Sequence, residues 1–408
     1  MRPLLALALA LALALRVELA IAQPSPLLEA RAENRFPDGV LFSLRLERGM
    51  SVQEARLHYR LGPRAILGVV APELPSSTPR EVSYLLGWPK TYLPPGLAIT
   101  FWWEVVDPQG RTFSTEPQTF TYTDPRFPFH VLEEGKFRLY WYDDEGNARL
   151  LLRVATETLQ EMEALLGVEV PFPIQVWVYA DTEDMRKALV PRSESFERQV
   201  ITAGQKVADD TVLVAGSRSL DTLRHELAHI VTAVAGEGPF GGLPAWLDEG
   251  TAVYAQKSPG AFQLAFQRAV AQDALLPLPS LSSYPGDPKL VNLFYGQSWA
   301  LVSYLIETYG RERFAQLFAT FKAGATTDDA LRRVYGLGVY ELENQWRASL
   351  GLPPVVVPSP TAAPGESTTN RALPKGERTT WPLVGVGASV GALMLVAAYL
   401  LGRRLRAG

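Results

Sequence analysis

The hydrophobic period of this chain changes once, and that change constrains its architecture more than any other feature. From about Leu27 to Asp124, the stretches VLFSLRLE, ARLHYRL, EVSYLLGW, AITFWWEVVD and TFTYTD alternate apolar and polar residues. That is the period of a half-buried strand. Turn residues separate the runs, among them LPPG and DPQG. Several short strands with no helical stretch between them predict an all-β, immunoglobulin-like sandwich over 23–125. His58 falls in one of these strands and is expected at the surface or an edge. Trp102 and Trp103 are expected to be one surface and one core neighbour, with an aromatic carbohydrate platform as the alternative.

From about Phe129 the period lengthens. ARLLLRVATETLQEMEALLG is amphipathic at helical spacing and stops at Gly167. PIQVWVYA reads as a strand, DTEDMRKAL as a helix start with acids in its first turn, and TVLVAGS as another strand. Ser219 or Asp221 can cap the helix that follows. The stretches LVNLFYGQSWALVSYLIETYG, RERFAQLFATFKAG, TDDALRRVYG and YELENQWRASLG are all helical in pattern. Strands first and helices after predict an α+β domain over 126–351.

The helix after TVLVAGS carries LRHELAHIV, Leu223–Val231. His225 and His229 are one turn apart, so both imidazoles lie on one face. Glu226 sits beside that face, within reach of a water held there. This H-E-x-x-H arrangement binds zinc, with the glutamate as general base. The chain has no cysteine and four histidines, His58, His130, His225 and His229. Thiolate ligands and a third histidine downstream are therefore excluded, and the third ligand must be a carboxylate. GLPAWLDEGTAVYAQ follows, with Glu249 twenty positions after His229 and Asp248 as the adjacent competitor.

HELAH followed by PAWLDEGTA resembles the glutamate-liganded zinc peptidases, or gluzincins, in the branch called peptidase MA-like. The resemblance covers roughly Phe129 to Leu350 and rests on the two motifs together. It implies a zincin-type fold, one Zn2+ per chain held by His225, His229 and Glu249, and a peptide or protein substrate. Peptide bonds would be hydrolysed by a zinc-activated water with Glu226 as general base. A tyrosine near the metal is also implied. Tyr295 is the choice, with Tyr254 and Tyr304 as alternatives. Substrate is expected to pair with the edge strand before the active helix, read here as TVLVAGS. One position departs from the thermolysin-like pattern: Val253 stands where an acid orienting a zinc histidine is expected. Asp221, one turn before His225, could support or cap instead.

Both ends of the chain are apolar. Arg2, the run Pro3–Leu15 and Ala20-Ile21-Ala22 read as a signal peptide over 1–22. Residues 352–380 form a Pro/Ser/Thr-rich stalk. Residues 381–402 are uncharged over a bilayer's length as far as Leu401, and Arg403, Arg404 and Arg406 follow. The expectation is a single transmembrane helix, a basic cytoplasmic tail over 403–408 and an extracytoplasmic body. Formal net charge is -4 with no basic run in the folded part, which argues against nucleic acid as a partner. Oligomeric state cannot be read from the sequence. The competing reading is a non-catalytic surface binding or scaffold protein. Against it stands the intact Glu226, which a scaffold does not need.

Overall fold

The computed structural model describes residues 27–62, 66–189, 204–216, 220–239 and 241–355. The sequence readings at 1–22, at 381–402 and at 403–408, and the stalk reading from 356 to 380, lie outside the described residues. Among the described residues, no helix is long and apolar enough to cross a membrane.

The N-terminal region is β-rich, as the period-two pattern required. β1 (Leu27–Arg35), β2 (Gly39–Leu46) and β5 (Glu81–Gly87) form one antiparallel sheet. β4 (Ile66–Val70), β3 (Glu54–Leu61) and β6 (Ala98–Val106) form a second, with β7 (Thr112–Ser114) and β8 (Gln118–Thr121) both pairing with β6. The alternating residues of the two sheets meet in one core, including Val40, Phe42, Leu57, Phe101 and Trp103. The fourth strand pairs with β3 in the second sheet. In the constant-type immunoglobulin order, by contrast, the fourth strand lies in the first sheet. Trp103 is fully buried. Trp102 lies on the outer face with His58 stacked on it, ring centroids 5.1 Å apart.

The second region is built on a five-stranded sheet in the order β12-β13-β11-β10-β9. These strands are β9 (His130–Glu134), β10 (Phe137–Trp141), β11 (Ile174–Tyr179), β12 (Gly204–Lys206) and β13 (Thr211–Ala215). β10, β11 and β13 run parallel, and both outer strands are antiparallel to their neighbours. The long helix α1 (Glu145–Leu166) connects β10 to β11. It starts on an Asp144 cap and ends at Gly167, whose φ of 65° lets the chain turn out of the helix. Strands and helices thus alternate in this half before the chain turns helical. Among the described residues the remaining helices are α2 (Thr182–Arg186), α3 (Leu220–Gly236), α4 (Ala245–Ala255), α5 (Ala261–Ala271), α6 (Val291–Tyr309), α7 (Arg311–Lys322), α8 (Thr327–Tyr335) and α9 (Val339–Ser349).

The two faces of the large sheet are covered differently. Val176, Val212 and Val214 face α1 and α3 and join the main core. Trp177, Tyr179, Leu213 and Ala215 face the other way, into a second cluster that Phe36 of the β-rich region reaches. Polar links accompany this packing. Tyr92 Oη donates to the Ala188 carbonyl at 2.5 Å, and Gln175 Nε2 donates to the Gly96 carbonyl at 3.0 Å. Buried Asp124 accepts from Arg126 and from Tyr179 Oη. The N-terminal region thus helps to cover this second sheet face together with α2, whose Met185 is buried in the same cluster.

One strand position differs from expectation. TVLVAGS, as β13, is an interior strand bonded to β11 and β12. Among the described residues, the edge beside the active helix belongs to β12. With only three residues, β12 carries no readable periodicity, which is why the sequence did not reveal it.

Candidate metal centre

Helix α3 presents His225 and His229 one turn apart, their rings edge to face at 4.8 Å. Helix α4 then brings Glu249 in from a separate element. Its Oε2 lies 3.2 Å from His225 Nε2 and 3.5 Å from His229 Nε2. The three ligand atoms all fall within 4.8 Å of one another. This is the set named from the sequence, and it is assembled here from residues on two helices.

Packing explains why α4 can come so close. A Cβ added at Gly250 would stand 2.4 Å from the Ser298 carbonyl oxygen of α6. Only glycine at this position lets the two helix backbones approach to that depth. Gly204 has the same role on the other side. A Cβ there would meet Thr222 at 2.3 Å and Glu226 at 3.3 Å. The close approach lets the Lys206 N–H donate to Glu226 Oε2 at 2.8 Å.

The site is dry. His225, Glu226, His229 and Glu249 are each at most 4% exposed. Burial at this depth penalises any charge that lacks a partner. Yet His229 Nε2 and Glu249 Oε2 have no hydrogen bond of acceptable geometry, although they face each other at 3.5 Å. Two buried, unsatisfied donor atoms converging with a third describe a cation site. Two imidazoles and one carboxylate, with a fourth position open, are the donor set of catalytic zinc. The residues fit that ion.

Electrostatics follow from the same geometry. Burial pushes the Glu226 carboxyl above its ordinary range, and the nearby imidazoles and the Lys206 N–H only partly offset this. Burial also opposes charge on Glu249, but His229 and His225 outweigh it and hold its carboxyl down, to about 2. At His229, burial opposes the imidazolium, while Asp248 and Glu249 prevail and hold it well above its usual range. Without a cation, a proton on His229 therefore answers the two carboxylates.

The supporting groups are not those expected. Val253 is fully buried in the main core. Asp248, weighed from the sequence as a rival ligand, faces the other nitrogen of a histidine instead. Its Oδ1 lies 3.0 Å from His229 Nδ1, at an alignment short of a straight hydrogen bond. Thr232 Oγ1 donates to the same carboxylate at 2.5 Å. His225 is served by Gln256, whose Nε2 lies 3.0 Å from His225 Nδ1. Gln256 stands seven residues after Glu249, two helical turns on, and so on the same side of α4. That spacing was a signal the sequence offered. Ser219 lies outside the described residues, and among them Asp221 touches no histidine. It accepts from Arg224 and from the Lys257 N–H at 2.9 Å, and so fixes the turn that carries Gln256. Such outer partners orient metal ligands and set their tautomers.

Tyr295 of α6 is buried beside the site. Its ring is 6.1 Å from His225 and stacked on Phe262 at 5.0 Å. Burial and the carboxylates of Glu249, Glu226 and Asp248 raise its phenol, which keeps it a neutral O–H donor. Of the alternatives, Tyr304 packs edge-on against Tyr309 and Tyr254 is half-buried against the core. Sequence reasoning missed Tyr284. Its hydroxyl donates to Glu249 Oε1 from a loop with no periodic pattern.

Comparison with known proteins agrees with this reading at a coarse level. Residues 154–351 match the family model of the Peptidase MA superfamily. The match spans the helices and the strand edge that build the site, and supports a zincin-like metallopeptidase in this half of the chain. No curated protein matches the sequence. Among solved structures, the Br derivative of BhCBM56 is similar at 11% identity over 24% of this chain and 96% of its own, with a TM-score of 0.20. A chain described as a myokine structure is similar at 14% identity over 25% of this chain and 100% of its own, with a TM-score of 0.21. Scores this low carry no argument about fold or ligand.

Proposed function

We propose that this chain is a membrane-anchored, extracytoplasmic zinc metallopeptidase of the gluzincin type. The observation that carries the reading is the convergence of His225 Nε2, His229 Nε2 and Glu249 Oε2 in a buried site beside Glu226. Anchorage and location rest on the sequence alone, through the apolar run at 381–402, the arginines after it and the signal-like start.

When bound, zinc supplies a Lewis acid and makes water acidic enough to ionise near neutral pH. His225, His229 and Glu249 would hold it, with Gln256 and Asp248 fixing the rings. Glu226 lies next to the two histidines, and the Lys206 N–H holds one of its oxygens. The other oxygen is left to accept a proton from the attacking water. Its raised carboxyl is suited to taking that proton and returning it to the leaving amine. Tyr295 is the proposed O–H donor to the oxyanion that develops on the scissile carbonyl. β12 gives an extended peptide a strand to pair with by main-chain hydrogen bonds.

The test is cleavage of a broad peptide library by the zinc-loaded full-length protein beside Glu226→Gln. Cleavage by wild type and loss of at least a hundredfold in the variant, with zinc retained by both, is expected, on the order of a general base's contribution. Zinc retained by both with no cleavage by wild type would instead leave a scaffold.

A further inference from the structure

The geometry assigns Tyr284 as a positioning residue for the metal ligand Glu249, and the assignment rests on the zinc reading above. Glu249 has two oxygens with separate duties. Oε2 faces His225 and His229. Oε1 accepts the Tyr284 hydroxyl. A carboxylate can close on a metal through one oxygen or both. An O–H bond to Oε1 occupies the outer oxygen and leaves Oε2 alone to reach inward. Binding through one oxygen keeps open the position that water and substrate need.

The tyrosine is delivered to this place by a built loop. Tyr284 stands between two 3-10 turns, Leu278–Ser282 and Pro288–Leu290, in the connection from α5 to α6. Leu278 and Leu281 are buried. Fully buried Gln297 clamps the loop from both sides, accepting from the Leu276 N–H at 2.9 Å and donating to the Leu276 carbonyl at 2.6 Å. Buried Glu343 of α9 accepts from the Leu278 backbone. The Tyr284 ring rests on Phe294 at 5.4 Å. Two helices, α6 and α9, therefore fix a loop whose tip ends on one oxygen of the ligand. Tyr295 comes to the same site from α6 by its own route and also bonds the Glu249 carboxylate, so Tyr284 is the loop-borne partner that occupies Oε1.

The experiment compares wild type, Tyr284→Phe and Tyr309→Phe in the full-length protein. Tyr309→Phe removes a hydroxyl that donates to Gln345, away from the metal. Zinc affinity is measured by competition with a chromogenic chelator, and the coordination number by the visible absorption of the Co2+ form. Tyr284→Phe is expected to bind zinc roughly 10–100-fold more weakly. Its Co2+ bands should weaken as the freed carboxylate closes through both oxygens. Tyr309→Phe should match wild type in both. Wild-type affinity and an unchanged Co2+ spectrum in Tyr284→Phe would overturn the assignment, even if the variant melts earlier. Absence of zinc binding by wild type is a different result and removes the metallopeptidase reading instead. X-ray absorption on zinc-loaded wild type covers the case in which Tyr284→Phe does not fold. One carboxylate oxygen in the zinc shell is expected, and two would overturn the assignment.

Discussion

Asp248→Asn separates a ligand from a support. The substitution is isosteric and removes one charge at a carboxylate that faces His229 Nδ1 at 3.0 Å and accepts from Thr232. In the zinc-bound form the neutral ring would donate its Nδ1–H to Asp248. A hydrogen bond to a charged group contributes about 1.5–3 kcal/mol. At about 1.4 kcal/mol per tenfold, that range spans roughly 10- to 100-fold in affinity. The same range is typical when an outer partner of a zinc histidine is lost. The contact here is misaligned, so the expected loss lies near the tenfold end. Chelator competition on wild type, Asp248→Asn and Glu249→Gln provides the assay. The order expected is wild type tightest, Asp248→Asn about tenfold weaker, and Glu249→Gln weakest by a further large factor. The reverse order of the two variants would make Asp248 the ligand and refute the placement of both residues.

Four further outcomes follow from the same geometry. Gly250→Ala puts a Cβ 2.4 Å from the Ser298 carbonyl oxygen, so α4 must shift off α6. About 1–3 kcal/mol of stability should be lost, at roughly 2–4 °C of melting temperature per kcal/mol, and zinc affinity should fall with it. Zinc uptake near pH 7 should release a proton, because His229 is held protonated in the metal-free site and must lose that proton to offer Nε2. Calorimetry in buffers of different ionisation enthalpy measures it. The stability sign is the opposite for the metal-free protein. A raised His229 contributes fully below its unfolded value of 6.5, and that contribution is lost as pH rises through the folded value. Metal-free melting temperature should therefore decline above about pH 6.5 while zinc affinity climbs. Tyr295→Phe should lower kcat on a cleaved peptide by about a hundredfold with KM little changed, as loss of an oxyanion donor does.

Much of this site was legible in the sequence because its central residues lie on helices, where spacing determines facing. His225 and His229 share a face by arithmetic, and the absence of cysteine and of further histidines pointed to an acid at Glu249. The β-rich start and the helical end were legible for the same reason, since each has a long run of one period. The residues that were missed act through tertiary contact. Tyr284 reaches Glu249 across 35 positions from a loop. β12 is too short for a pattern and exists because β13 offers it a partner. Asp248 read as a rival ligand because adjacency to Glu249 does not say which nitrogen a carboxylate faces. Val253 left a gap in the expected support. The contacts that fill it come from Gln256, on the same helix side, and from Asp248, on the far side of the other histidine.

The central claim is that one zinc is held by His225, His229 and Glu249. Its most direct test is metal analysis of the full-length protein after chelation and reloading, beside His229→Ala and Glu249→Ala. The account predicts one zinc per wild-type chain that resists a weak chelator, and none retained by either variant. No zinc on wild type, or a full complement on both variants, would contradict it.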